Sequence, residues 1–154
     1  MGRIRRGQRF HVQFLSSIGL NFCYNSDMDT HTKKVLVVED DKDYRGLLVD
    51  KLTLEGYSVL EAADGIKGLA IALQEHPDLI LLDIMMPVMT GLQVLEKLRE
   101  DSWGKTASVF LLTNVDPDDN IMEKVAKYTP SYYLLKKGDI LPDEIAEKIR
   151  EKFR

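Results

Sequence analysis

A chain of 154 residues holds one domain of ordinary size, with at most a tail beside it. Its 44% hydrophobic content supports a real core, and 30% charged residues with net charge −4 argue against a disordered chain or a binder relying on bulk positive charge. The charge is split: residues 1–26 carry Arg3, Arg5, Arg6 and Arg9 and no acid, whereas residues 27–154 hold 17 bases and 25 acids, a net of −8.

The single cysteine, Cys23, excludes a disulfide framework within the chain, and His11, His31 and His76 are too scattered for a zinc cluster. Both features fit a reducing, cytoplasmic setting. No apolar run approaches the roughly 18 residues of a membrane span. Residues 1–26 have a basic start and an apolar stretch broken by His11, Gln13, Ser16, Ser17 and Asn21. That is poorer than a secretory signal. The segment reads as a flexible tail, or as an upstream extension with Met28 as the effective start, and the expected division is an extension over 1–32 and a domain over 33–154.

From Lys33 onward short apolar runs alternate with amphipathic stretches. Residues 35–38 (VLVV) form a β-branched run suited to a strand buried on both faces. Residues 43–55 read as a helix offering Leu47, Leu48, Leu52 and Leu54 to the core, with Gly56 as its stop. Residues 58–60 make a second strand. Residues 65–75 make a helix with Ile66, Leu69, Ala70 and Leu73 at core spacing, ended by His76-Pro77. Strand 79–82 and helix 91–100 follow, the helix pointing Leu92, Leu95 and Leu98 inward.

Strand 109–112 comes next. Asp116-Pro117 opens a helix to about Tyr128, with Ile121, Met122 and Val125 inward. Strand 132–135 precedes a last helix opened by Pro142, with Ile145, Ile149 and Phe153 on one face. Five β-then-α units with short, right-handed connections predict a doubly wound, five-stranded parallel sheet with helices on both faces.

Ligands of such sheets bind beyond the carboxyl ends of the strands. Those ends carry Glu39, Asp40 and Asp41 after strand 1, Asp83 after strand 3, Thr113 and Asn114 after strand 4, and Lys136 and Lys137 after strand 5. An acid directly after four aliphatic residues is costly unless it emerges at the sheet edge. Carboxylates converging there repel one another, and a hard divalent cation such as Mg²⁺, with oxygen ligands, relieves the repulsion. Lys136 adds a compact positive charge and Thr113 a hydroxyl donor. Together these supply the parts for phosphoryl transfer onto a carboxylate. Asp41 and Asp43 stay outside the set, because either serves as a cap for the first helix.

The segments 35–41 (VLVVEDD), 55–65 (EGYSVLEAADG), 79–91 (LILLDIMMPVMTG), 109–113 (VFLLT) and 133–136 (YLLK) resemble, in order and spacing, the receiver domain of bacterial two-component response regulators. The resemblance covers residues 33–153. It implies a flavodoxin-like (βα)5 fold with strand order 2-1-3-4-5. It also implies a stand-alone, chemotaxis-type receiver: Asp83 takes a phosphoryl group from a sensor histidine kinase or a histidine phosphotransfer protein. Asp40 would ligate Mg²⁺ directly and Glu39 through water, with Asp83 and the main-chain carbonyl of Met85 completing the protein ligands.

Lys136 would pair with the phosphoryl group. Thr113 would turn toward it and Tyr133 would follow, so that the surface of helix 4, strand 5 and helix 5 reports the state. Pro87 and Gly91 would shape the loop beneath the site. Beyond self-phosphorylation and slow self-dephosphorylation no enzyme activity is implied. With no effector after Arg154, output would pass to a downstream protein or by phosphoryl relay, without direct DNA binding.

Two positions depart from the family pattern. Lys137 stands where proline is usual, and Asn114 where alanine or glycine is usual. Neither removes a chemical group, so altered rates are expected. They are the only support for the alternative, a phosphorylation-independent pseudo-receiver that binds a partner. A third reading, an unrelated Mg²⁺-dependent phosphatase or flavin protein, lacks the DxD pair or the phosphate loop it requires.

Overall fold

The computed structural model describes residues 32–114, 118–136 and 141–154, with residues 132–136 described by their main chain. The expected N-terminal extension lies outside the described residues, apart from its last position.

Among the described residues five strands and five helices alternate: β1 (Lys34–Val38), α1 (Lys42–Leu54), β2 (Ser58–Ala62), α2 (Gly65–Glu75), β3 (Leu79–Asp83), α3 (Gly91–Glu100), β4 (Val109–Thr113), α4 (Asp119–Tyr128), β5 (Tyr132–Lys136) and α5 (Pro142–Lys152). The strands form one parallel sheet in the order β2-β1-β3-β4-β5. The order reverses beside β1, so β1 and β3 flank the crevice where doubly wound sheets bind ligands.

Alternate strand residues feed two cores. Leu36, Val38, Ile80, Leu82, Val109 and Leu111 point to the side covered by α2, α3 and α4. Val35, Val37, Leu79, Leu81, Phe110 and Leu112 point to the side covered by α1 and α5. The central strands are buried on both faces, which explains their unbroken apolar runs. Each fully buried Leu or Ile contributes about 1.5–3 kcal/mol of apolar transfer free energy.

Side-chain caps define four helix starts. Asp41 accepts from the Tyr44 amide (2.9 Å), Asp64 from Lys67 (2.8 Å) and Asp118 from Ile121 (2.8 Å). Thr90 and Gln93 form a reciprocal capping box at α3. The helix expected to open at Asp116-Pro117 begins instead at Asp119, capped by Asp118, and residues 115–117 lie outside the described residues.

Three helix faces differ from the sequence expectation. On α1, Leu48 and Leu52 are buried, but Leu47 and Leu54 face solvent at 57% and 85% exposure. On α4, Met122 is exposed, Ile121 is half-buried and Val125 is buried. On α2 the inward stripe is Gly65, Gly68, Leu69 and Ala72, whereas Ile66, Ala70 and Leu73 are exposed. The cause is Gly68: a Cβ there would lie 2.5 Å from Val38 Cγ1, so the helix backbone itself rests on β1. The glycine stripe outranks the bulkier residues in setting the rotation of α2.

Candidate functional site

The chain leaves β1 through Glu39, whose amide continues the sheet by donating to the Ala62 carbonyl at 3.0 Å. The Glu39 side chain turns inward and is fully buried, with Oε1 accepting from the Asp41 amide at 3.1 Å. Asp40 follows on the exposed side of the same turn. The Arg45 guanidinium, one turn into α1, donates from Nη1 to the Glu39 carbonyl at 2.8 Å and lies 3.5 Å from that of Asp40. Its Nε meets Glu61 Oε2, at the end of β2, at 3.2 Å.

Asp83 is the last residue of β3 and is buried, at 1% exposure. Its Oδ1 accepts from the Met85 amide at 3.2 Å. The next amide, of Ile84, donates to the Leu112 carbonyl at 2.8 Å, which ties the start of the loop to β4. The loop then folds back, and Gly91 donates to the Ile84 carbonyl at 3.0 Å. A Cβ at Gly91 would sit 2.1 Å from the Asp83 carbonyl oxygen, so only glycine permits this return against the end of β3. Pro87 and Val88 form the exposed crest of the loop. Val88 has φ +69°, a strained setting for a β-branched residue.

Carboxylate oxygens of Glu39, Asp40 and Asp83 lie within 4.8 Å of one another. Two of the three groups are buried, so mutual repulsion is only weakly screened by solvent. Hard oxygen donors in that arrangement, with one donor open to solvent, suit Mg²⁺. The three acids singled out in the sequence are thus brought together by the ends of β1 and β3. Met85 sits in the adjoining loop with its side chain half exposed.

Thr113 ends β4 and is buried at 2% exposure, one residue past the Leu112 that pairs with Asp83. Its register partner on β5 is Lys136. This puts the main chain of Lys136 at the same edge of the sheet. The side chains of Tyr133 and Lys136, and residue Lys137, lie outside the described residues. Asn114 is exposed directly after Thr113. Sequence reasoning misses Arg45, because its partners lie on a turn and on a separate strand, and no local pattern joins them. Among the described residues, no helix is long and apolar enough to cross a membrane.

Residues 35–150 match the family model of the response regulator receiver domain. The chain is 34% identical over 123 residues to the DNA-binding dual master transcriptional regulator RpaA of Synechocystis, covering 79% of this chain and 49% of that protein. It is 45% identical over 83 residues to the response regulator PleD of Caulobacter vibrioides, covering 54% of this chain and 18% of that one. The chain therefore spans about half, or less, of the length of these relatives. Two solved structures match almost over their whole length. The Vibrio cholerae chemotaxis response regulator CheY4 has TM-score 0.70 and 28% identity, covering 78% of this chain and 98% of that one. The CheY-like receiver domain protein of Methanospirillum hungatei has TM-score 0.71 and 29% identity, covering 79% and 93%. With its sheet order, its acidic crevice and a matched span from 35 to 150, this chain belongs to the response regulator receiver domain family.

Proposed function

We propose that the domain over residues 33–154 is a phosphoryl-accepting switch in which Asp83 is the acceptor. The observation that carries this reading is the burial of Asp83 at the end of β3, with its carboxylate closing on Glu39 and Asp40. A buried acid cluster at a strand edge is unfavourable as a purely structural feature, and it suits a site completed by a cation and a phosphoryl group.

An Asp83 carboxylate oxygen attacks the phosphorus of a phosphohistidine on a sensor kinase or phosphotransfer protein. The new P–O bond forms as the P–N bond breaks, and the imidazole leaves with the electron pair and takes up a proton. Asp40, Glu39, Asp83 and the Met85 carbonyl would hold Mg²⁺, which when bound supplies positive charge against the phosphoryl oxygens. The Asp83–Met85 hydrogen bond and the close return at Gly91 fix the nucleophile. Water later attacks the acyl phosphate and releases inorganic phosphate, restoring the carboxylate.

The phosphoryl group adds about two negative charges and new acceptor oxygens. Thr113 and Lys136 gain hydrogen bonds to those oxygens in that state only, so it becomes populated, and Tyr133 carries the change to the α4–β5–α5 surface. That surface would contact a downstream protein in the cytoplasm. The test is labelling by acetyl phosphate in Mg²⁺. Wild type takes up one phosphoryl group and Asp83→Asn takes up none. A wild-type protein that binds a partner but never labels would instead be a phosphorylation-independent interaction module.

A further inference from the structure

We infer that Arg45 is a positioning residue for the acidic turn, setting Mg²⁺ affinity by holding the Glu39–Asp40 main chain. The inference rests on the proposed reading of the site. A guanidinium beside several carboxylates would ordinarily be expected to pair with the nearest metal-ligating acid. Arg45 does something else. Its Nη1 bonds the main-chain carbonyl of Glu39 at 2.8 Å, and its Nε is anchored on Glu61 at 3.2 Å, outside the three-acid cluster.

The side chain is only 14% exposed, so the fork is held between α1 and the end of β2. Glu39 is then fixed at three points: its amide on Ala62, its carbonyl on Arg45 and its Oε1 on the Asp41 amide. The peptide that joins Glu39 to Asp40 begins at that carbonyl, so the bond from Arg45 orients both side chains. Arg45 bonds the backbone that carries the carboxylates rather than the carboxylate oxygens of the cluster.

Two physical effects of Arg45 on Mg²⁺ have opposite signs. As a positive charge near a cation site it weakens binding. As a clamp on the ligand-bearing turn it strengthens binding. Loss of a residue that orients metal ligands typically costs about 10–100-fold in affinity. The clamp outweighs the charge, because the guanidinium is already paired with Glu61 and the pair is close to neutral at a distance.

The experiment is calorimetric titration of the full chain with Mg²⁺ at fixed ionic strength, with thermal unfolding run in parallel. Arg45→Met should bind Mg²⁺ about tenfold more weakly, although the site becomes more negative by one charge. Arg45→Lys keeps the charge and loses the fork, and should stay weak. Glu61→Gln leaves the clamp in place but frees its anchor, and should weaken binding by less; it also serves if the Arg45 variants fail to fold. Unchanged or tighter binding by folded Arg45→Met, or full rescue by Arg45→Lys, overturns the inference while leaving the site reading intact. A wild-type chain that binds no Mg²⁺ overturns both.

Discussion

Two regions on opposite faces of the sheet, the α1–α5 pair and α4, are built differently. On the α1–α5 side, Leu48, Leu52, Ile145, Ala146 and Ile149 are all buried, and ion pairs cross the surface: Lys51 with Glu55 and Asp143, Arg150 with Glu55. On the other side, α4 buries Val125 alone among its residues. Its C-terminal end is tied by polar contacts instead. The Arg99 guanidinium donates to the carbonyls of Tyr128, Thr129, Gly104 and Ala107, and Tyr128 Oη donates to Glu96. A cavity of about 610 Å³ lies between α3 and α4, lined by Ile84, Leu92, Ile121, Lys124 and Tyr128 among others.

The lesson is that the α1–α5 pair is a frame held by its apolar core, whereas α4, on the opposite face, is held mainly through polar contacts at its C-terminal end. Elements with few buried apolar contacts open at lower free energy than the core, and moving elements are drawn from that end. In the proposed switch, α4 belongs to the surface that responds.

The largest test of this contrast is a pair of core truncations. Leu48→Ala should cost about 2–5 kcal/mol and unfold the whole domain at lower denaturant. Val125→Ala should cost less, about 1–2 kcal/mol, and chiefly accelerate hydrogen exchange within α4. Equal global losses from the two would break the distinction.

Arg99→Met comes next. It leaves up to four carbonyls without their donor, costing about 1–3 kcal/mol. Burial pushes the Arg99 pKa down from its ordinary value, but from so high a starting point that the group stays charged at neutral pH. Amide exchange should quicken at the C-terminal end of α4 and stay unchanged in α1. Uniform quickening would mean that Arg99 supports the whole fold.

A smaller effect, of opposite sign, is expected at the loop crest. Val88→Asn should raise stability by about 0.5–1 kcal/mol, because asparagine tolerates the positive φ that valine resists. Chemical denaturation reads this directly, and a loss of stability would contradict the strain.

Smallest is the ion-pair set on the frame side. Hydrogen bonds first from Arg150 and then from Lys51 hold the Glu55 carboxyl below the ordinary carboxylate range. A carboxyl lowered by folding stabilises the native state above its unfolded pKa, and that contribution is lost as pH falls through the folded value. Glu55→Gln should therefore be slightly less stable than wild type at neutral pH, and the two should converge in acid. A gap that persists in acid would assign the effect to packing.

The order of elements was legible because each buried strand is an apolar run and each helix an amphipathic one. Asp83 was legible for the same reason: an acid following Leu79-Ile80-Leu81-Leu82 has few physical excuses. Helix rotation was not. At α2 the glycine at 68 lets the backbone itself touch Val38, which overrides a stripe of larger side chains. At α1, Leu47 and Leu54 are leucines on a solvent face, and composition cannot tell them from Leu48 and Leu52. Arg45 was invisible because its bonds join a turn, a helix and a neighbouring strand that only the fold brings together.

The most direct measurement of the central claim is phosphoryl incorporation by intact-protein mass spectrometry after acetyl phosphate and Mg²⁺, comparing wild type with Asp83→Asn. The account predicts one phosphoryl group on wild type, its incorporation prevented by chelating Mg²⁺ before the donor is added, and none on Asp83→Asn. Undiminished incorporation on Asp83→Asn would contradict it.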